Sequence, residues 1–552
     1  MVLLMKNKFF LLFCFSLLLF SCKTSDKDEQ TKIIDYTDEQ VVLDTIKEIR
    51  TLSESKPIRA FYRAELLKLN VQENAEVVAL FEECKSLLVE NFKQSEKDGD
   101  FLSALRIFDS YNAITKSSEI DFATKRENLV SEIKMPLESS NKNSDLSLNS
   151  ENFADFVSGT VTVLVDLGIK VQNGVGRQET MLGSGFFISK NGYIVTNHHV
   201  IASCVDPSYE GFARLYIKLS NDSENRIPAR VVGYDSTIDL ALLKTEVDAP
   251  YVFSLGSSSE LAVGDTVYAI GSPVGLERTL TRGIVSTTDR GDLMSLGKVF
   301  QIDAAVNSGN SGGPLIDSSG RVQAVVYAGV LNYQGLNFAI PVEYLKNELY
   351  MLYSGGERKH PWIGIYGKTN KNYNKANGLV VHYVMPGSAA FLSGIKSGDV
   401  LVSVNGTQIY TAEDFHLLFM QFQTDSIINV GILDENENVK EVPLYLDNRP
   451  SNPGYEMYRR DLLENALLPI FGMELLHAST LSKNDYVISK IIKGSAADES
   501  GFSEGDPVKI INVEVNKEKT ALFMTLFAKK RKNSFLDVGL SIACPLDSEY
   551  YF

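Results

Sequence analysis

The stretch Asn307-Ser-Gly-Asn-Ser-Gly-Gly-Pro-Leu315 holds the residue best placed for chemistry, Ser311. Its small neighbours leave the hydroxyl uncovered. Gly309, Gly312 and Gly313 also permit backbone conformations closed to other residues, so that N–H groups can turn together toward an anion. A serine hydroxyl is a weak nucleophile and needs a base. The chain has 6 histidines. His360, His382, His416 and His477 fall in a duplicated C-terminal region, which leaves His198 and His199 in Tyr193-Ile-Val-Thr-Asn-His-His-Val200. A histidine base needs a carboxylate to fix its tautomer and stabilise the imidazolium. Asp239, at the mouth of the apolar run Asp239-Leu-Ala-Leu-Leu243, suits that role; its competitor Asp235 fits the turn before the strand better. No carboxylate or cysteine cluster accompanies the paired histidines, so neither a metal nor a cofactor is expected.

These residues need a scaffold of short strands, and the chain supplies one. Between residues 152 and 352 the texture is β: Val161–Val165, Gly185–Ile188, Tyr193–Thr196, Arg214–Leu219, Leu240–Lys244, Thr266–Ile270 and Val322–Val326, separated by glycine turns. Strands at this spacing suggest barrels or a sandwich, and the length suffices for two small barrels. Before it, residues 37–135 have a helical period. Val77, Phe81, Cys84 and Leu88 mark one apolar face, as do Val42, Ile46, Ile49 and Leu52. Four or five such helices make a small all-α domain, with Cys84 as a core thiol. Residues 136–151, rich in Ser and Asn, form a linker.

At 552 residues the chain holds roughly three or four domains. A net charge of −16 argues against nucleic acid as a partner, and the run Lys529–Lys532 reads as solvated surface. Lys6 and Lys8 precede the apolar run Phe9–Phe20, which is short for a membrane span but suits a signal segment. It ends in Leu19-Phe-Ser-Cys22, similar to a bacterial lipobox in which the cysteine is lipidated. The expectation is a signal peptide over 1–22, a tether over 23–36, and an envelope protein held on a membrane through Cys22. Cys84, Cys204 and Cys544 are scattered, and no structural bridge is expected.

Thr196-Asn-His-His-Val200, Asp239-Leu-Ala-Leu-Leu243 and Gly309-Asn-Ser-Gly-Gly-Pro-Leu315 together resemble the three triad motifs of HtrA/Deg serine proteases. Gly271–Gly275, Gly283–Ser286, Gln301–Ala305 and Gly335–Pro341 add to the likeness. The resemblance implies a mainly β fold with a chymotrypsin-like double β-barrel over 152–352. It places the base at His199, the orienting acid at Asp239 and the nucleophile at Ser311, with His198 a neighbour pointing away. The N–H groups of Gly309, Asn310 and Ser311 would surround the oxyanion. Ala305, six residues before the nucleophile, would shape the S1 pocket and disfavour cleavage after Arg or Lys. The implied activity is endoproteolysis of unfolded or misfolded protein; a chaperone or peptide-sensing scaffold is the alternative. Apolar residues leading into the first barrel, here Phe153 and Phe156, imply a homotrimer.

Gly387–Asp399 matches Gly494–Asp506 at an offset of 107 residues, marking a duplicated domain. The copies, 355–447 and 461–552, resemble PDZ-like α+β domains. Ile363, Gly364 and Ile365 in the first, and Phe471, Gly472 and Met473 in the second, would be carboxylate-binding loops for peptide C-termini. The last residues, Glu549-Tyr-Tyr-Phe552, look like aromatic C-termini that some such domains recognise. Self-engagement is left open beside the simpler reading, a final strand that is aromatic by chance.

Overall fold

The computed structural model describes residues 35–115, 122–133 and 150–552, except for 173, 208, 221, 272–278, 292–296, 308, 330–335, 373–374, 434–437, 479–483 and 531–535. The expected signal segment with Cys22, nearly all of the tether and most of the linker lie outside these residues.

The first apolar periods become five helices, α1 (Glu39–Ser55), α2 (Pro57–Asn70), α3 (Ala75–Asp98), α4 (Phe101–Thr115) and α5 (Phe122–Ile133). Their ends are written locally. Asn74 caps α3 by accepting from the Glu76 and Val77 N–H groups, and Gly99 closes it at φ 73°. Val42, Ile46 and Ile49 face Val77, Phe81, Cys84 and Leu88 in one core, where Cys84 is a free, buried thiol.

Helix α6 (Ser150–Gly159) leads into the first barrel: β1 (Thr160–Gln172), β2 (Val175–Phe187), β3 (Tyr193–Thr196), helix α7 (His198–Val205), β4 (Arg214–Leu219), β5 (Asp222–Asp235) and β6 (Leu240–Thr245). The order β5-β4-β1-β2-β3-β6 is completed by β5 pairing with β6. The second barrel is closed, in the order β10-β11-β12-β9-β8-β7, by β7 (Thr266–Gly271), β8 (Thr279–Arg290), β9 (Val299–Ile302), β10 (Pro314–Ile316), β11 (Val322–Gly329) and β12 (Asn337–Pro341). Phe156 of α6 is 1% exposed, stacked on Phe253 and edge-on to Tyr251. The aromatic expected at a subunit contact is therefore consumed inside its own chain. Phe153 packs beside it against Tyr268.

Helix α8 (Val342–Ser354) crosses to the repeats. The short β13 (Gly356–Glu357) joins the first barrel beside β5, pairing Gly356 with Gly233. Next come β14 (Pro361–Trp362), β15 (Ile365–Asn372), β16 (Lys375–Val384), α9 (Ala389–Leu392), β17 (Val400–Val404), β18 (Thr407–Gln408), α10 (Ala412–Phe419), β19 (Ile427–Leu433), β20 (Val439–Tyr445) and β21 (Asp447–Asn448). The sheet runs β15-β16-β17-β19-β20, so β15 is an edge, and α10 packs on the same sheet. The helical domain docks on this repeat. Tyr62 donates to Ala389 O at 3.1 Å, Ser110 Oγ accepts from Ile427 N at 3.0 Å, and Tyr62 stacks on Tyr445.

The second repeat opens with α11 (Pro453–Arg460) and α12 (Leu463–Phe471). It continues with β22 (Met473–His477), β23 (Asp485–Ile491), α13 (Ala496–Glu499), β24 (Pro507–Val515), β25 (Ala521–Lys530) and β26 (Leu536–Pro545). It departs from the first at one decisive place. Where the first repeat inserts α10 after its third strand, the second goes from β24 to β25 through the turn Asn516–Thr520.

Candidate active site

Strand β3 ends at Thr196 and α7 begins at His198, so His199 sits in the first turn of a helix at the strand's mouth. Asp239 precedes β6, which pairs with β3; that pairing brings the two together. Asp239 Oδ2 lies 2.7 Å from His199 Nδ1, and Asp239 Oδ1 accepts the His199 backbone N–H at 2.7 Å. Its carbonyl accepts from Asn197 Nδ2 at 2.8 Å and from the His198 N–H at 3.3 Å. These bonds hold Asp239 at φ 56°, a left-handed conformation that costs a non-glycine residue energy and that clusters at functional sites. The His199 side chain is 45% exposed and that of Asp239 11%, so the imidazole faces the cleft over a shielded acid.

Asp235, the competing carboxylate, has another task. Its Oδ1 accepts from the Thr237 and Ile238 N–H groups, shaping the turn that leads to Asp239. Its Oδ2 lies 2.7 Å from His360 Nε2, with both side chains almost fully buried. Burial works against its charge, but His360 and the Ile238 N–H prevail and hold the carboxyl below its usual range. Beside it Arg358 donates to Glu348 at 2.6 Å and to the carbonyls of Met420 and Phe422. The His198 ring stacks on Tyr234, centroids 5.2 Å apart.

On the facing barrel, Ser311 lies in the turn before β10. Gly312 and Gly313 are required by close approach: a Cβ on Gly312 would meet Ser184 O and Thr196 Oγ1 at 2.3 Å, and one on Gly313 would meet Ile270 O at 2.2 Å. Ser184 clamps the loop to the first barrel, its Oγ donating to Gly309 O at 2.6 Å and its N–H to Ser311 O at 2.8 Å. The Ser311 hydroxyl donates to the Tyr327 carbonyl at 3.0 Å and makes no hydrogen bond to His199. Asn310 departs from expectation: its N–H donates to Asn307 O at 3.0 Å, closing a turn within the loop, so it is not open to an oxyanion. Gly309, at φ 104°, and Ser311 flank it. Ala305 is exposed, and its carbonyl accepts from Thr281 at 2.9 Å.

The two carboxylate-loop motifs fare differently. In the first repeat the Gly364 and Ile365 N–H groups face the outer edge of β15. In the second, Phe471 ends a helix, the Gly472 N–H caps it by donating to Leu468 O at 3.0 Å, and Met473 is buried. The Gly472 donor is thus taken up within the chain, and among the described residues no helix lies between β24 and β25. Sequence reasoning also missed Ser184, Tyr327, Arg358 and His360, whose roles depend on contacts between distant segments. Asn197, beside the histidines, was the one such residue within reach.

Four family models match along the chain: a domain of unknown function over 40–133, a trypsin-like peptidase domain over 183–325, a PDZ domain over 356–419, and a TP0546 family PDZ domain over 454–546. A probable periplasmic serine endoprotease, DegP-like, from Marinomonas sp. (strain MWYL1) is 32% identical over 351 residues, covering 61% of this chain and 71% of that protein. Its counterpart from Hahella chejuensis (strain KCTC 2396) is 34% identical over 366 residues, covering 61% and 73%. Among solved structures, HtrA-type protease AlgW with tripeptide aligns at 26% identity and TM-score 0.46, over 54% of this chain and 97% of that one. With the peptidase domain and the PDZ domains in this order, the chain belongs to the HtrA/Deg family of serine endoproteases.

Proposed function

We propose that Ser311, His199 and Asp239 are the catalytic triad of this endoprotease. The observation that carries the assignment is the pair of 2.7 Å contacts between Asp239 and His199, one to the ring and one to the backbone. Asp239 fixes the proton on Nδ1 and leaves Nε2 as the base. Ser311, turned from Tyr327 toward Nε2, attacks the scissile carbonyl as His199 takes its proton. The imidazolium, stabilised by Asp239, then protonates the leaving amine, and water repeats the sequence on the acyl-enzyme. The Gly309 and Ser311 N–H groups receive the oxyanion, each such donor contributing about 3 kcal/mol. The Asn310 N–H joins them only if the Asn307–Asn310 turn opens.

The substrates are unfolded or misfolded proteins, with small or medium aliphatic residues at the Ala305 side of the cleft. The first PDZ domain binds peptide ends, and the second acts as a packing module. The chain works in the bacterial envelope, held on a membrane through Cys22, and assembles as a trimer through surfaces other than the buried Phe156. Casein digestion by the wild type beside Ser311→Ala tests the assignment. Degradation by wild type alone is expected; equal degradation by both would remove Ser311 from the mechanism.

A further inference from the structure

The last residues of the sequence leave the domain that carries them. Leu546 is still buried in the second-repeat core, but Asp547 takes the guanidinium of Arg449, which follows β21 at the end of the first repeat, at 2.6 Å. Beyond it Tyr550–Phe552 runs alongside the free edge of β15. The Gly367 N–H donates to Tyr550 O at 3.1 Å and the Phe552 N–H to Ile365 O at 3.0 Å. The Gly364 and Ile365 N–H groups converge on Phe552 O at 2.8 and 3.0 Å. This is strand addition to a sheet edge, closed at one end by paired backbone donors. The Phe552 ring is 2% exposed, edge-on to Phe415 of α10 at 5.0 Å. Tyr551 turns the other way, buried between the repeats, and donates to Pro469 O at 3.0 Å.

The wall that Phe552 touches also touches the protease. Glu413 of α10 pairs with Lys298 of the second barrel at 2.7 Å, and Met420 lies in the core shared with Val342, Leu345 and Leu349. Arg358 grips the Met420 and Phe422 carbonyls, and two residues on, His360 holds Asp235 in the turn before Asp239. A shift of α10 would thus be felt at the catalytic acid through packed and hydrogen-bonded groups.

We propose that Tyr550–Phe552 is a ligand in cis for the first PDZ groove. An outside peptide with an aromatic end must displace it, and while seated it restrains proteolysis through α10, Arg358 and the His360–Asp235 contact beside Asp239. The second half of this inference rests on the triad assignment above. A segment tethered so closely competes at an effective concentration on the order of millimolar.

The test titrates the full chain and Phe552→Ala with a fluorescent peptide, Asp-Ser-Glu-Tyr-Tyr-Phe, and follows casein cleavage with and without it. The peptide is expected to bind Phe552→Ala about tenfold or more tightly than wild type. Casein cleavage should rise severalfold in Phe552→Ala and in peptide-saturated wild type. Because Phe552→Ala opens a cavity, Tyr550→Ala, which trims a half-buried ring, is run beside it and should move affinity the same way. Equal affinity in all three chains overturns the proposal. Tighter binding with unchanged cleavage overturns the resting-state half. Tighter binding with no cleavage by any chain supports the cis ligand and counts instead against the triad assignment.

Discussion

On the first-barrel side of the cleft, His199 and Asp239 are locked by two side-chain contacts, a strained backbone and the buried brace of Asp235 and His360. On the second-barrel side, the Ser311 hydroxyl and the Asn310 N–H donate within their own barrel, and Ser184 ties the loop's carbonyls across to the first. One wall is organised before substrate arrives; the other waits. The difference follows from chain connectivity. Asp239 and His199 sit at the mouths of paired strands, whose ladder fixes them. Ser311 sits in a glycine turn, where its hydroxyl meets a backbone carbonyl and no side chain orients it.

The sharpest probe asks whether these unequal walls act as one unit. Ser311→Ala and His199→Ala should each lower kcat by roughly 10⁶, and the double variant should be no worse than either. Additive losses, measured by casein turnover at saturating substrate, would mean the waiting wall and the ready wall work independently. Asp239→Asn comes next. It keeps the shape but favours the wrong tautomer, and a loss of about 10⁴ in kcat is expected. A loss near tenfold would say that the backbone contact from His199, not the carboxylate charge, does the orienting.

Much of the ready wall could be read in the sequence. Thr196–Val200 and Asp239–Leu243 carry their own strand and helix signals, and the apolar periods of α1 and α3 mark the core faces that form. What could not be read depends on partners distant in sequence. His360 looked like one more histidine of a repeat, yet 125 residues separate it from the Asp235 it holds. The repeats mislead for a related reason. Gly387–Asp399 and Gly494–Asp506 share a helix start and turn, and that local likeness survives; a Cβ on Gly364 or Gly472 would strike the matching serine, Ser388 or Ser495, at 2.3 and 2.1 Å. The groove, however, needs α10, which lies outside the matched stretch and has no counterpart after β24. The aromatic tail read most simply as a last strand of its own domain, because alternation cannot say which sheet edge a strand will join. Here it joins the neighbour's.

The brace offers a third and smaller test. Removing the hydrogen-bond partner of a buried carboxylate leaves it unsatisfied, so His360→Ala should cost about 1–3 kcal/mol or more in urea unfolding. If the brace also positions Asp239, kcat should fall by up to about a hundredfold with KM unchanged. A stability loss with full kcat would confine His360 to architecture. The last test is a pH slope on the same wall. Burial lowers the His198 imidazole below its ordinary 6.5; Asp239, Asp235 and Glu357 pull the other way, and His199 adds to the lowering. As pH falls past about 6.5 the unfolded chain takes up this proton first, while the folded chain resists until its lowered value is reached. Stability should therefore decline with acid across that window and level off below it, as far as this group is concerned. Asn at position 198 does not titrate, so His198→Asn should flatten the slope just below about pH 6.5, read from urea midpoints. An unchanged slope would mean that the ring on Tyr234 meets solvent as freely in the folded chain as in the unfolded one, and that the ready wall is organised by its acid and backbone alone.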